Sequence, residues 1–122
     1  MRRDMDLIRS ILIQLEEKSS GLDTVDIGLE GYDDAQIGYH SALIAEAGLA
    51  HGIDVSHMGS TFPEWKLCRL TWDGHEFLDA SREPGRWEKA QDISQKAGGL
   101  TLNMIMKVLG QLMSQQLGKL IT

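Results

Sequence analysis

The sequence predicts a helix-rich α+β protein. Apolar residues recur at i, i+3, i+4 and i+7 near the N-terminus and again along the C-terminal end, which is helical periodicity. Alternation of polar and apolar residues is confined to short segments, two of which flank a turn-rich stretch as a hairpin would. With 122 residues, of which 42% are apolar and 25% charged, the chain has the size and make-up of one soluble globular domain.

The elements follow in order. Ile8, Ile11, Leu12 and Leu15 make one apolar stripe on a first helix, with Asp4 and Asp6 in its first turn, where carboxylates favour the positive end of the helix dipole. Lys18 ends this helix and the Ser-Ser-Gly of 19–21 stops it. Val25, Ile27 and Leu29 alternate with Asp26 and Gly28 as a short strand closed by Gly31. A second helix begins at Asp33, which forms a capping box with Gln36, and ends at Gly48. Its inner face holds Ile37, His40 or Ser41, Ile44 and Ala47. Ile53, Val55 and His57 alternate within 51–58, a loop covers 59–64, and "WKLCRLT" returns as the second arm of a hairpin whose loop is about six to eight residues long. Thr71 caps a helix running to about Arg82, with Phe77, Leu78 and Ser81 inward and Gly74 allowing close packing. Pro84 suits the first turn of the next helix, whose weakly apolar face is Trp87, Ala90, Ser94 and Ala97. Gly98-Gly99 breaks it, and a last helix runs from Thr101 to about Leu120.

Helix, short strand, helix and then a two-stranded hairpin is the order of a winged helix. The expected architecture is a winged-helix-like domain with a small β-hairpin wing over residues 1–82, and a C-terminal helical extension, 83–122, packed on the same domain. A DNA-reading winged helix has one more helix before the segment that starts at Asp33. "LEGYDD" leaves room for one turn at most, so that element is expected to be vestigial.

Three stretches, "RRDMDLIRSILIQLEE", "GYDDAQIGYHSALIAEAGLAHG" and "LTWDGHEFLDASR", together with the tail "GGLTLNMIMKVLGQLMSQQLG", resemble the bacterial family of domain of unknown function 2513 over nearly the whole chain. The resemblance implies a winged-helix-like protein from bacterial, phage-related settings. It brings no activity that transfers to these residues. Leu70, Thr71, Gly74 and Leu78 are similar to the strand-to-helix joint of many winged-helix regulators.

The residue chemistry speaks against catalysis. His75-Glu76 resembles the start of a zinc-binding H-E-x-x-H helix, but the fifth position is Asp79, and His40, His51 and His57 lack ligand spacing. Cys68 sits in a strand and reads as a small buried residue rather than a nucleophile. Adjacent acids such as Glu16-Glu17 and Asp33-Asp34 point in different directions on a helix and make no dyad. No catalytic, cofactor-binding or metal-binding residue is expected, no cofactor is implied, and the protein is expected not to be an enzyme.

Charge bears on the partner. The net charge is −6, and no Lys or Arg lies between Lys18 and Lys66, a stretch holding Asp23, Asp26, Glu30, Asp33, Asp34, Glu46, Asp54 and Glu64. Phosphate neutralisation dominates affinity for nucleic acid, so this stretch disfavours it. In a DNA-binding alternative, as a transcriptional regulator of bacterial or prophage origin, the contacts would be Gln36, Tyr39, His40, Lys66 and Arg69. The favoured reading is protein interaction through the last helix, by Leu102, Ile105, Met106, Leu109, Leu112, Met113 and Leu117. Leu120 extends this stripe, and the small residues Gly110, Ser114 and Gly118 lie along one edge. A homodimer through this helix is the specific expectation. The apolar run after Arg2-Arg3 is broken by charges, so neither a signal peptide nor a membrane span is expected. With one cysteine, the cytoplasm is the expected compartment.

Overall fold

The computed structural model describes residues 1–121. It contains α1 (Met5–Lys18), α2 (Asp34–Glu46), the antiparallel pair β1 (Ala50–Asp54) and β2 (Trp65–Leu70), then α3 (Trp72–Ser81), α4 (Pro84–Lys96) and α5 (Leu102–Ile121). The chain is α+β and helix-rich, as expected. It divides into two compact units, Met1–Glu76 and a second that begins at Phe77, within α3.

In the first unit, α1 starts where Asp4 caps it, its Oδ1 accepting from the amides of Asp6 at 3.0 Å and Leu7 at 3.2 Å. Its whole predicted stripe, Ile8, Ile11, Leu12 and Leu15, is buried, with Met5 and Leu7 beside it. The helix packs on α2 and β2. The capping box of α2 forms as expected. Asp33 Oδ1 accepts from the Gln36 amide at 2.8 Å, and Gln36 Oε1 accepts from the Asp33 amide at 2.9 Å. Its end is a Schellman motif: Gly48, at φ +75°, donates to Ala45, and Leu49 donates to Ile44 across 3.0 Å. Ala47, placed on the inner face by periodicity, is the C-cap and is exposed.

The strand expected at Val25–Leu29 does not form. Val25 alone bridges to Leu67, its amide donating across 2.8 Å. Side chains of α1 hold part of the remaining backbone of this segment. Gln14 donates from Nε2 to the Gly28 carbonyl and accepts the Gly28 amide, at 3.0 and 2.8 Å, and Lys18 Nζ donates to the Asp26 carbonyl. Backbone groups satisfied by side chains need no strand partner. Between this segment and α2, Tyr32 donates to Leu29 across one turn with Gly31 at φ +89°, which is all that stands where a further helix was expected to be vestigial.

The hairpin differs from expectation in two ways. β1 ends at Asp54, whose Oδ1 accepts the Ser56 amide at 2.9 Å and turns the chain, so 55–58 do not continue the strand. Val55 still donates to Glu64 across 2.7 Å, so the loop beyond that bond is 56–63 where 59–64 was expected. Ile53 and Val55 are exposed. The register pairs His51 with Arg69 and Gly52 with Leu67, so Cys68 is the extra residue of a bulge. The bulge turns both Leu67 and Leu70 inward and leaves Cys68 half-exposed, where a buried strand position was expected.

Thr71 joins β2 to α3. Its amide donates to the Leu49 carbonyl, its hydroxyl donates to Gly48 O, and its Oγ1 accepts the Gly74 amide at 3.0 Å. The helix that follows presses against Leu49: a Cβ built on Gly74 would lie 1.9 Å from the Leu49 oxygen. Glycine is the residue this approach admits.

In the second unit, Phe77 and Trp87 meet edge to face with ring centres 5.7 Å apart. Glu83 caps α4, accepting from the amides of Gly85 and Arg86, each at 2.8 Å, with Pro84 opening the first turn. The Arg86 guanidinium donates to the Ala80 and Asp79 carbonyls at the end of α3, where cations are favoured. Ala90 and Ser94 are buried, while Ala97 is exposed as the C-cap of α4. Thr101 caps α5 through its hydroxyl, and α5 packs on α4.

Candidate interaction surface

The apolar stripe predicted on α5 divides along its length. Ile105 and Leu109 are buried, as is Val108, which the predicted stripe omitted. Leu102, Met106 and Leu112 are half-buried. Beyond Leu112 the apolar side chains open to solvent: Met113 is 40% exposed, Leu117 57%, and Leu120 and Ile121 76% each. The helix is thus a core element for its first half and an uncovered apolar surface for its second. Val108 lies at the margin of the same arc, so a wider arc in the helical projection would have included it.

Small residues shape this surface. Met113, Leu117 and Leu120 line an open groove of about 480 Å³ with Gly110, Ser114 and Arg86. Arg86 Nη1 donates to Gln116 Oε1 at its edge, 3.3 Å away. A second depression flanks the opposite side of Gly110 and Ser114. A Cβ on Gly110 would meet nothing within 4 Å. The ridge between the depressions is therefore low. α5 contains Lys107 and Lys119 and no carboxylate.

The residues of the DNA-binding alternative are placed otherwise. His40 is 1% exposed and both ring nitrogens are engaged. Nε2 accepts the Asp4 amide at 2.9 Å and Nδ1 lies 2.8 Å from the Gln36 carbonyl, so the hydrogen sits on Nδ1. As a reader of bases, His40 is corrected: the ring is a buried link between the start of α1 and α2. Gln36 is tied into the capping box, and Tyr39 is half-buried with its ring edge against His40. Lys66 is ion-paired with Asp26 and holds that carboxyl below its ordinary range, and Arg69 donates to the Gly21 carbonyl at 3.3 Å.

His75 and Glu76 are exposed, with His75 Nδ1 4.0 Å from Glu16, and Asp79 pairs with Arg82 at 2.9 Å. Among the described residues, no group of three or more His, Cys, Asp or Glu is placed to hold a metal ion, and no helix is long and apolar enough to cross a membrane.

The sequence matches the family described as hypothetical protein (DUF2513) over residues 2–100, a span that ends just before α5. It is also 37% identical over 119 residues to an "Uncharacterized protein" of Haemophilus influenzae (strain ATCC 51907 / DSM 11121 / KW20 / Rd), covering 96% of this chain and 99% of the relative. No solved structure matches.

Proposed function

The chain belongs to the DUF2513 family of hypothetical proteins, and from that footing we propose that it is a non-enzymatic, winged-helix-like module that works by protein interaction, with α5 as its self-association element. One observation carries the reading: Met113, Leu117, Leu120 and Ile121 stand exposed on successive turns of one helix. Apolar patches of this kind on a small protein are characteristic of interaction surfaces. The order helix, helix, hairpin in the first unit supports the winged-helix comparison. The half-exposed single cysteine, Cys68, fits a reducing compartment, for which the bacterial cytoplasm is our proposal.

The test is light scattering on the full chain beside a Leu117→Glu/Leu120→Glu variant. Both side chains are already in solvent, so the variant keeps its fold. The expected outcome is a dimer for the parent and a folded monomer for the variant. A parent that stays monomeric at about 100 μM, a concentration at which a micromolar dimer would be mostly assembled, defeats the self-association reading. The DNA-binding alternative draws on the element order alone, and the stretch between Lys18 and Lys66, free of Lys and Arg, weighs against it. Salt-dependent binding to generic duplex DNA at low ionic strength would reverse that preference.

A further inference from the structure

The first unit holds a groove that no part of this reading uses. Segment 25–27, the first turns of α2 and the hairpin enclose about 400 Å³, within the range of small-ligand sites. Its apolar and aromatic lining includes Ile37, Phe62 and Trp65. The loop is seated firmly against α2 here, because a Cβ on Gly38 would come within 2.2 Å of the Pro63 carbonyl oxygen.

Two further features give the groove a chemical preference. The first is charge. Lys66 lines it but is paired with Asp26, which leaves Asp34 and Glu64 as lining carboxylates with no Lys or Arg ion pair among the described residues. His57 Nε2, 3.5 Å from Glu64, is the only imidazole in an ion-pair geometry with either among the described residues. The second is Ser41. It is 2% exposed, lines the groove, and its hydroxyl has no hydrogen-bond partner among the described residues. Ser94, whose fully buried hydroxyl also has no partner among the described residues, lines none of the described grooves. A buried hydroxyl that opens on a groove is supplied with a partner by whatever enters.

We propose that this groove binds an organic cation: an alkylammonium or guanidinium group on an apolar stem, the size of a basic amino-acid side chain. The stem lies along Ile37 and the aromatic rings. The cation is held by Asp34 and Glu64, with the ring faces of Phe62 or Trp65 adding attraction. The Ser41 oxygen accepts one of its N–H groups. Such a group arrives either on a free small molecule or on a peptide, and the chemistry is the same.

The experiment is an NMR titration of the full ¹⁵N-labelled chain, following the Trp65 indole N–H (assigned with Trp65→Phe) and the amides of Ile37 and Ser41. The probes are N-acetyl-arginine methylamide for a peptide residue, agmatine for a free cation, and N-acetyl-citrulline methylamide as an uncharged counterpart. Saturable shifts are expected at those positions, with a Kd on the order of 1 mM for a ligand this small. Preference for the capped arginine identifies a peptide side chain, and preference for agmatine a free ligand. The citrulline probe is expected to bind at least fivefold more weakly. Asp34→Asn and Glu64→Gln are each expected to weaken the cation by a similar factor. Ser41→Ala, which removes only an unpartnered hydroxyl, is expected to weaken it while leaving the melting curve unchanged. Equal binding of the citrulline probe, no saturation with either cation, or undiminished binding by folded variants overturns the proposal. The Leu117→Glu/Leu120→Glu variant serves as a control whose groove binding stays unchanged, so failure of the α5 reading and failure of this one are distinguishable.

Discussion

Replacing Gly74 by alanine sets two effects of known sign against each other. In an exposed helix position, alanine is favoured over glycine by about 1 kcal/mol. At Gly74 the new Cβ would lie 1.9 Å from the Leu49 oxygen and 3.0 Å from its carbonyl carbon, both backbone atoms. Neither moves freely. The Leu49 amide is bonded to Ile44 at the Schellman end of α2, and the Leu49 oxygen accepts the Thr71 amide at 3.1 Å. Restoring an ordinary contact requires more than an ångström of movement, which breaks the Thr71 bond or draws α3 away from the hairpin. Overpacking of this kind costs about 1–3 kcal/mol, and a buried bond broken on one side costs about 1–3 more. After the helix-propensity gain, Gly74→Ala is expected to lose about 1–5 kcal/mol, set against a typical domain's 5–15. Urea unfolding followed by circular dichroism measures it, alongside Gly110→Ala as a matched control. A Cβ on Gly110 meets nothing, so that variant should gain up to about 1 kcal/mol. If Gly74→Ala proves as stable as the parent, the close approach of α3 to Leu49 is wrong.

Other consequences can be checked separately. Gly38→Ala should destabilise by about 1–3 kcal/mol, because its Cβ would meet the Pro63 carbonyl oxygen at 2.2 Å; unchanged urea unfolding would refute the seating of the loop. His40→Leu removes the acceptor of the Asp4 amide and should cost about 1–3 kcal/mol while accelerating hydrogen exchange at Asp4; undisturbed exchange there would contradict the link. The amides of Gly85 and Arg86 hold the Glu83 carboxyl below its ordinary range. Its stabilising contribution is therefore present above the ordinary glutamate pKa and lost as pH falls through the lowered one. Glu83→Gln should melt earlier than the parent at neutral pH and together with it in strong acid; a difference that persists in acid would show that the charge is not the cause.

Elements that depend on neighbours in sequence were legible in advance. The stripe of α1, the Asp33–Gln36 box, the Gly48 stop, the Thr71 cap and the Pro84 start all act within one turn of chain, so residue order is enough to place them. The inward turn of Phe77, Leu78 and Ser81 followed from spacing alone. The strand at 25–29 was misread because alternation reports which faces a segment prefers, not which groups will bond its backbone. Gln14 and Lys18 take those bonds, and they lie on another element. Cys68 was misplaced for a related reason: one bulged residue breaks the period of two, and a bulge is set by pairing with the partner strand. Of the α5 surface, the stripe was legible and the division near Gly110 was not, because periodicity identifies an apolar face without saying how much of it finds a neighbour.

The same distinction holds for the candidate sites. By itself the sequence determined the α+β class, the family, the acidic middle and the absence of a recognisable catalytic motif, since these rest on composition, local order and short spacing. Only the tertiary structure decided that His40 is a buried link, that Lys66 is engaged by Asp26, and that Ser41, Phe62, Trp65 and Glu64 share one groove. Each of these pairings joins segments far apart along the chain, and at the groove the approach of the loop to α2 is close because Gly38, facing the Pro63 carbonyl, has no side chain.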